Sequence, residues 1–293
     1  MITNYNDDFF EIQSNRLKLS IANENMYAKR TRFSHCGYII QAKLDKKHTL
    51  CTRESIVFGN DTGGEGICGE FLTDAEIYNK TQIGDWFPKI GVGYLKKVKN
   101  EPFSPFFDYD CKKSEITQKI YENKVEYINE LPMYNDFACK LYKTITVIEN
   151  EILIDYKLEN TGKIDIKSSE YAHNFFGFNN APIDENYEII LPKGFVDKHT
   201  GCIKLSDAFI ANFDGIVEDS FFLYIENLEK TSPSFKMTHK KLGLSISEYN
   251  DFSPEHIAFW GRFYTASVEV FNDIFVKPNE NQTWQRKYVF EAK

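Results

Sequence analysis

Between Ser169 and Asn179 the chain places one histidine, one carboxylate, two carboxamides and four aromatic rings within eleven residues (Ser-Glu-Tyr-Ala-His-Asn-Phe-Phe-Gly-Phe-Asn). Read as a strand with period two, the stretch puts His173 on one face with Tyr171, Phe175 and Gly177, and sends Glu170, Asn174, Phe176 and Phe178 to the other. A histidine among rings suits a site that stacks on an apolar ring face and moves a proton. The competing reading is a half-buried structural histidine bonded to backbone. A second candidate lies about a hundred residues on, in Ala266-Ser267-Val268-Glu269-Val270-Phe271, where Glu269 lies opposite Val268 and Val270. Alone, such a glutamate reads as a solvated residue of an alternating strand.

The elements that must position these groups read mostly as strands. Lys143–Ile148 and Ile152–Leu158 alternate cleanly around the turn Glu149-Asn150-Glu151 and form a hairpin. A second hairpin joins Ser234–Thr238 to Leu244–Ser247, and late strands follow at Ile257–Trp260, Ala266–Phe271 and Thr283–Phe290. Ser114–Asn129 holds a short helix or a strand. Gly37 marks a bend, and Asp45 to His48 a polar turn. Asn60 to Phe71 carries four glycines but matches no phosphate-loop pattern, and Glu65 and Glu70 in it would repel phosphate; it reads as a loop whose backbone approaches something closely. With no linker, repeat or low-complexity tract, residues 1–293 are expected to form one large antiparallel, all-β domain.

Composition narrows the function. The chain has 42% hydrophobic and 15% aromatic residues, sufficient for a sizeable core and suited to sugar-facing clefts. A formal charge of −8 and the lack of a long basic run argue against nucleic acid. No run of eighteen apolar residues suggests a membrane span, and the polar start carries no secretory pattern. The six cysteines, Cys36, Cys51, Cys68, Cys111, Cys139 and Cys202, form no C-x-x-C pair and read as reduced, mostly buried thiols of a cytoplasmic protein. No H-x-H, H-E-x-x-H or calcium-loop pattern supports a metal, and no cofactor is expected. A G-x-S-x-G nucleophile elbow is missing too. His35 reads as a surface histidine with cleft lining as its alternative, and His48, His199, His239 and His256 read as exposed. Trp86 and Trp260 fit sugar stacking or core packing.

In order and spacing, the histidine strand, the late glutamate strand after Ile257-Ala-Phe-Trp260, and the closing loop Val276 to Gln282 before a final strand resemble the aldose 1-epimerase (galactose mutarotase-like) superfamily, including its hexose-6-phosphate epimerase branch. Ala172-His173-Asn174-Phe175-Phe176 is similar to that family's N-H-x-Y-F or L-H-x-Y-F motif, Val268-Glu269 to its V-E strand, and Gly66 to Phe71 to its glycine-rich loop. The resemblance implies a β-supersandwich, a small-molecule carbohydrate substrate, and anomer exchange without a metal: Glu269 as base on the anomeric hydroxyl and His173, protonated, as acid on the ring oxygen, the two on opposite sides of the hemiacetal. A neighbouring carboxylate, Glu65 or Glu70, would then raise the pKa of His173. Arg32, Glu65, Glu70, Lys89, Asn174, Phe176 and Trp260 are the expected substrate-binding residues. The chain departs from the family where Ile90 stands in place of a second histidine and where an arginine near Gly64 and Glu65 is missing; Arg32 or Lys89 could supply that cation. Arg262 faces inward or lies in an exposed loop. Neutral sugars fit the acidic chain best. A carbohydrate-binding protein that lost turnover is the alternative function, and a sugar lyase or isomerase on the same scaffold a third. The oligomeric state, monomer or homodimer, is not legible.

Overall fold

The computed structural model describes residues 8–23, 30–55 and 64–293. The expected glycine-rich loop begins at Asn60, and its 60–63 portion lies outside them.

Alternating apolar and polar residues build the largest sheet. Phe137–Ile148 and Glu151–Asn160 pair as the expected hairpin, Ile145 opposite Ile154, with every second side chain buried. The sheet has ten strands. On one side of the hairpin lie Lys124–Tyr134 and Glu115–Ile120, so the region 114–129 takes its strand option. On the other side the last strand, Asn281–Ala292, leads to Leu244–Asn250, Phe235–His239, Tyr187–Ile190, Ile210–Asn212 and Lys204–Leu205.

A seven-stranded sheet orders Phe9–Gln13, Leu17–Ala22, Ile39–Leu44, Ile67–Phe71, Ile166–Asn174 and Asn272–Val276, with His48–Thr49 beside Ile39–Leu44. It faces the ten-stranded sheet across the core. Trp284 of the last strand stacks on Tyr156 and meets Phe71 edge-on, and Phe176 packs against Tyr288. A four-stranded sheet (Phe195–Thr200, Phe221–Glu226, His256–Arg262, Thr265–Val270) and a three-stranded one (Trp86–Lys89, Gly93–Lys96, Cys111–Lys113) complete the set. Every ladder among the described residues is antiparallel. The chain is thus a β-supersandwich.

A short helix, Ala75–Lys80, was not expected. Asp74 caps it by accepting the N–H groups of Glu76 and Ile77. The six cysteines are free thiols; Cys36, Cys51, Cys68 and Cys139 are buried and Cys202 is exposed. Four histidine expectations are corrected. His48 and His256 are only partly exposed, His256 stacking on Phe271 with centroids 4.0 Å apart. His239 is buried because its strand register turns it inward against Tyr187 and Phe178, and His35 is buried with its ring bonded to the Arg30 carbonyl. No helix of the described residues is long and apolar enough to cross a membrane.

Candidate active site

The site forms where the seven-stranded and four-stranded sheets meet. Ile166–Asn174 lies between Ile67–Phe71 and Asn272–Val276, with His173 opposite Cys68 and Tyr171 opposite Glu70. Past its end, Phe176 forms an isolated bridge with Ala266, which brings Thr265–Val270 alongside. Side chains complete the junction. Asn174 donates its amide to the Val268 carbonyl at 2.8 Å and its backbone N–H to Ser267 Oγ at 2.9 Å.

Alternation then decides what meets what. Tyr171, His173 and Phe175 point to one face, and Ser267 and Glu269 face them from the neighbouring strand. His173 Nε2 lies 3.0 Å from Glu269 Oε1, and His173 Nδ1 lies 3.0 Å from Ser267 Oγ. Glu269 is therefore not solvated; it is 7% exposed and His173 5%. The imidazole stacks on Phe175 with centroids 4.0 Å apart and planes 8° from parallel, and meets Phe33 and Trp260 edge-on at 5.9 and 5.8 Å. Three rings thus fix its orientation, and Trp260 among them is half-buried.

Gly64 and Gly66 account for the glycine-rich loop. A Cβ on Gly64 would lie 2.2 Å from the Phe175 ring, and Gly66 has φ +64° with Ile39 O 2.0 Å from where a Cβ would stand. Gly64→Ala should displace Phe175 from His173 and cost about 1–3 kcal/mol by overpacking, measurable as a lowered urea midpoint.

A second cluster adjoins the first. Glu70, fully buried, accepts from Lys89 Nζ at 2.9 Å and Arg32 Nε at 3.0 Å, and the Tyr171 hydroxyl donates to it as well. Burial opposes the charge on Glu70, but Lys89 and Arg32 outweigh it and hold the carboxyl below its ordinary value. Burial pushes Lys89 down, Glu70 opposing.

One expectation about His173 is corrected here. Burial, with Arg32 adding to it, drives His173 well below its ordinary range, so no carboxylate raises it. Burial pushes Glu269 up to about 8; Arg32 opposes and Glu70 reinforces the rise. Both members of the pair prefer their neutral forms.

The other expected residues fall in several places. Arg32 and Glu70 join the cluster beside the pair. Lys89 also belongs to it, but its ammonium is buried on Glu70 and the Phe71 carbonyl, so it does not present a cation to a cleft. Glu65 sits at the loop and pairs with Arg53 at 3.3 Å. Asn174 and Phe176 point away from His173 into the space between the sheets, Asn174 toward Tyr288 and Glu248, Phe176 against Phe235 and Tyr288. Strand alternation forces this, so the structure does not place them on the His173 face. Ile90 is buried in the main core, Arg262 is exposed, and Trp86 lies under Lys112.

Ser267, Tyr171, Phe33 and Phe175 were not picked as site residues. Ser267 stands two residues before Glu269, on the same strand face, which is the one sequence signal that could have found it. Also unforeseen is a buried charge network behind the histidine strand. Arg286 bonds Glu170 Oε2 at 2.6 Å and Glu248 Oε1 at 2.8 Å, all three fully buried, and Trp284 donates to Glu170. The same guanidinium donates to the carbonyls of Glu170 and Val270, one on each strand that carries the pair. Among the described residues no three His, Cys, Asp or Glu side chains converge as a metal site would require.

This architecture is the galactose mutarotase-like β-sandwich. No family model matches the sequence, and no curated protein does. Among solved structures, the chain is similar to the Slr1438 protein from Synechocystis sp. PCC 6803, with a TM-score of 0.62, 12% identity and 100% of both chains covered. It is similar to a galactose mutarotase-like protein from Clostridium acetobutylicum (TM-score 0.60, 11% identity, 97% of this chain and 95% of that one). A galactose mutarotase related enzyme from Lactobacillus acidophilus also superposes (TM-score 0.57, 10% identity, 97% of each chain). At these identities the likeness establishes the fold.

Proposed function

We propose that the chain is an aldose 1-epimerase-like enzyme that interconverts the anomers of a sugar, with Glu269 and His173 moving the protons. The observation that supports it is the 3.0 Å contact between His173 Nε2 and Glu269 Oε1 in a ring-lined site. Sequence reasoning put the two groups on opposite sides of the hemiacetal. In contact, they suit delivery from one side. The anomeric hydroxyl oxygen and the ring oxygen are bonded to the same carbon, so neighbouring atoms can serve both.

The step balances as follows. Glu269 takes the proton of the anomeric hydroxyl and His173 gives one to the ring oxygen. The bond from the anomeric carbon to the ring oxygen breaks and an open-chain aldehyde forms. Rotation about the adjoining carbon–carbon bond and closure by the reverse transfers yield the other anomer. The pair needs one proton in all. Burial places it on Glu269, and transfer across the 3.0 Å contact gives the imidazolium and carboxylate that the reaction uses. Phe175, Phe33 and Trp260 hold the imidazole and offer apolar surface to a sugar face.

Anomer exchange followed across pH tests this. The pair should be active while it carries one proton. As pH rises through about 8 that proton is lost, nothing remains to protonate the ring oxygen, and the rate should fall. A rate that keeps climbing well above that pH would contradict the assignment.

A non-catalytic carbohydrate-binding protein is the second reading. Ile90, buried in the core where the family resemblance expects a second histidine, favours it. Binding of a sugar without faster exchange would support it.

A further inference from the structure

Ser267 contacts three groups at once. It receives the Asn174 backbone N–H at 2.9 Å, and its Oγ lies 3.0 Å from His173 Nδ1 and 3.3 Å from Glu269 Oε1. With the Nε2–Oε1 contact, Ser267, His173 and Glu269 close a three-membered ring of polar contacts, all buried. A serine hydroxyl has one hydrogen and two acceptor lone pairs. Asn174 takes one lone pair. The remaining lone pair and the single hydrogen must serve His173 and Glu269, one each.

We infer that Ser267 is a positioning residue that accepts from His173 Nδ1–H and donates to Glu269 Oε1, so that Nε2 alone exchanges protons. Counting hydrogens supports this direction. With one proton on the pair, the ring of contacts holds three hydrogens for three links: the serine hydrogen, the imidazole hydrogen and the shared proton. If the shared proton sits on Glu269, it points at a bare Nε2. If it crosses to Nε2, His173 is an imidazolium and Glu269 a carboxylate. Ser267 keeps the same two bonds in both states, so the crossing requires no hydroxyl rotation. Its bond to Oε1 also stabilises the carboxylate, and its lone pair stabilises the imidazolium. In the reverse direction, with Ser267 donating to Nδ1, the histidine carries its hydrogen on Nε2. Nε2 then cannot take the shared proton from Glu269.

The inference builds on His173 and Glu269 as the proton-moving pair, yet it has a readout of its own. Nitrogen-15 NMR of the side-chain nitrogens of His173 in the full chain, at neutral pH, reports which nitrogen holds the hydrogen. The expected result is the Nδ1–H form in the wild type, a switch to Nε2–H in Ser267→Ala, and a return to Nδ1–H in Ser267→Thr, which restores a hydroxyl. Anomer exchange should fall roughly ten- to a hundredfold in Ser267→Ala, the size of loss typical when the outer hydrogen-bond partner of a metal-bound histidine is removed, and recover in Ser267→Thr. An Nε2–H histidine in the wild type would overturn the inference, as would an unchanged Nδ1–H form in Ser267→Ala. If Ser267→Ala does not fold, the wild-type spectrum alone decides. If the chain exchanges no anomers but shows the tautomer switch, the positioning role stands and the enzymatic reading fails.

Discussion

Glu269→Gln should lower the rate of anomer exchange by roughly 10² to 10⁴, the range expected for a positioned acid–base group. The replacement keeps the size and shape of the side chain, so stacking on Phe175 and the edge contacts of Phe33 and Trp260 should persist. What it removes is the capacity to take a proton from the anomeric hydroxyl. It also leaves His173 without an acid from which to receive one. Binding of the sugar should change far less than turnover, because the rings and the Glu70 cluster remain. The measurement is exchange rate and dissociation constant side by side. A drop smaller than about tenfold would mean that Glu269 is not the base.

The second large effect concerns stability. Arg286→Met should destabilise the fold by about 3–5 kcal/mol, because it strands two fully buried carboxylates. Burial already raises Glu248, with Arg286 the chief opposing influence. Arg286 itself is held above its ordinary value because Glu170 and Glu248 outweigh the cost of its burial. Removing it therefore leaves both buried side chains without their cation. The change should also reach the site, since Arg286 ties the carbonyl of Glu170 to that of Val270. Those bonds hold the His173 and Glu269 strands at their spacing from behind. Combining Arg286→Met with Glu170→Gln and Glu248→Gln should recover much of the stability, as no charge then remains to bury. Urea unfolding of the wild type, the single variant and the combined variant checks the pattern. A single variant as stable as the wild type would show that the network carries no net interaction.

Strand identity was legible wherever apolar and polar residues alternate, as in 143–158, where period two reports one buried face; 266–271 alternates as well, but both of its faces are buried. The same alternation correctly put His173 with Tyr171 and Phe175. It also places Asn174 and Phe176 opposite, at odds with the expectation that both contact substrate. Glu269 became a candidate only through its order after the histidine strand, because a lone glutamate in a strand carries no sign of burial. Partners across long separations were not legible. Glu70 meets Lys89 and Arg32 across separations of 19 and 38 residues, and nothing local to any of the three announces it. Arg286 left a fainter trace: it stands between Trp284 and Tyr288 on the inward face of the last strand, where an unpaired cation would be costly. The lowered proton affinity of His173 depends on burial and on Arg32, neither of which spacing discloses.

The most direct test of the central claim is magnetisation-transfer NMR between anomers, at neutral pH, with the wild-type chain and a panel of free hexoses, pentoses and hexose 6-phosphates. The result expected is exchange above the buffer rate for at least one sugar, which would also name the substrate class. A sugar that binds, seen by line broadening or shift changes, with no sugar of the panel exchanging faster than in buffer, would contradict it and leave a binding protein on a mutarotase-like scaffold.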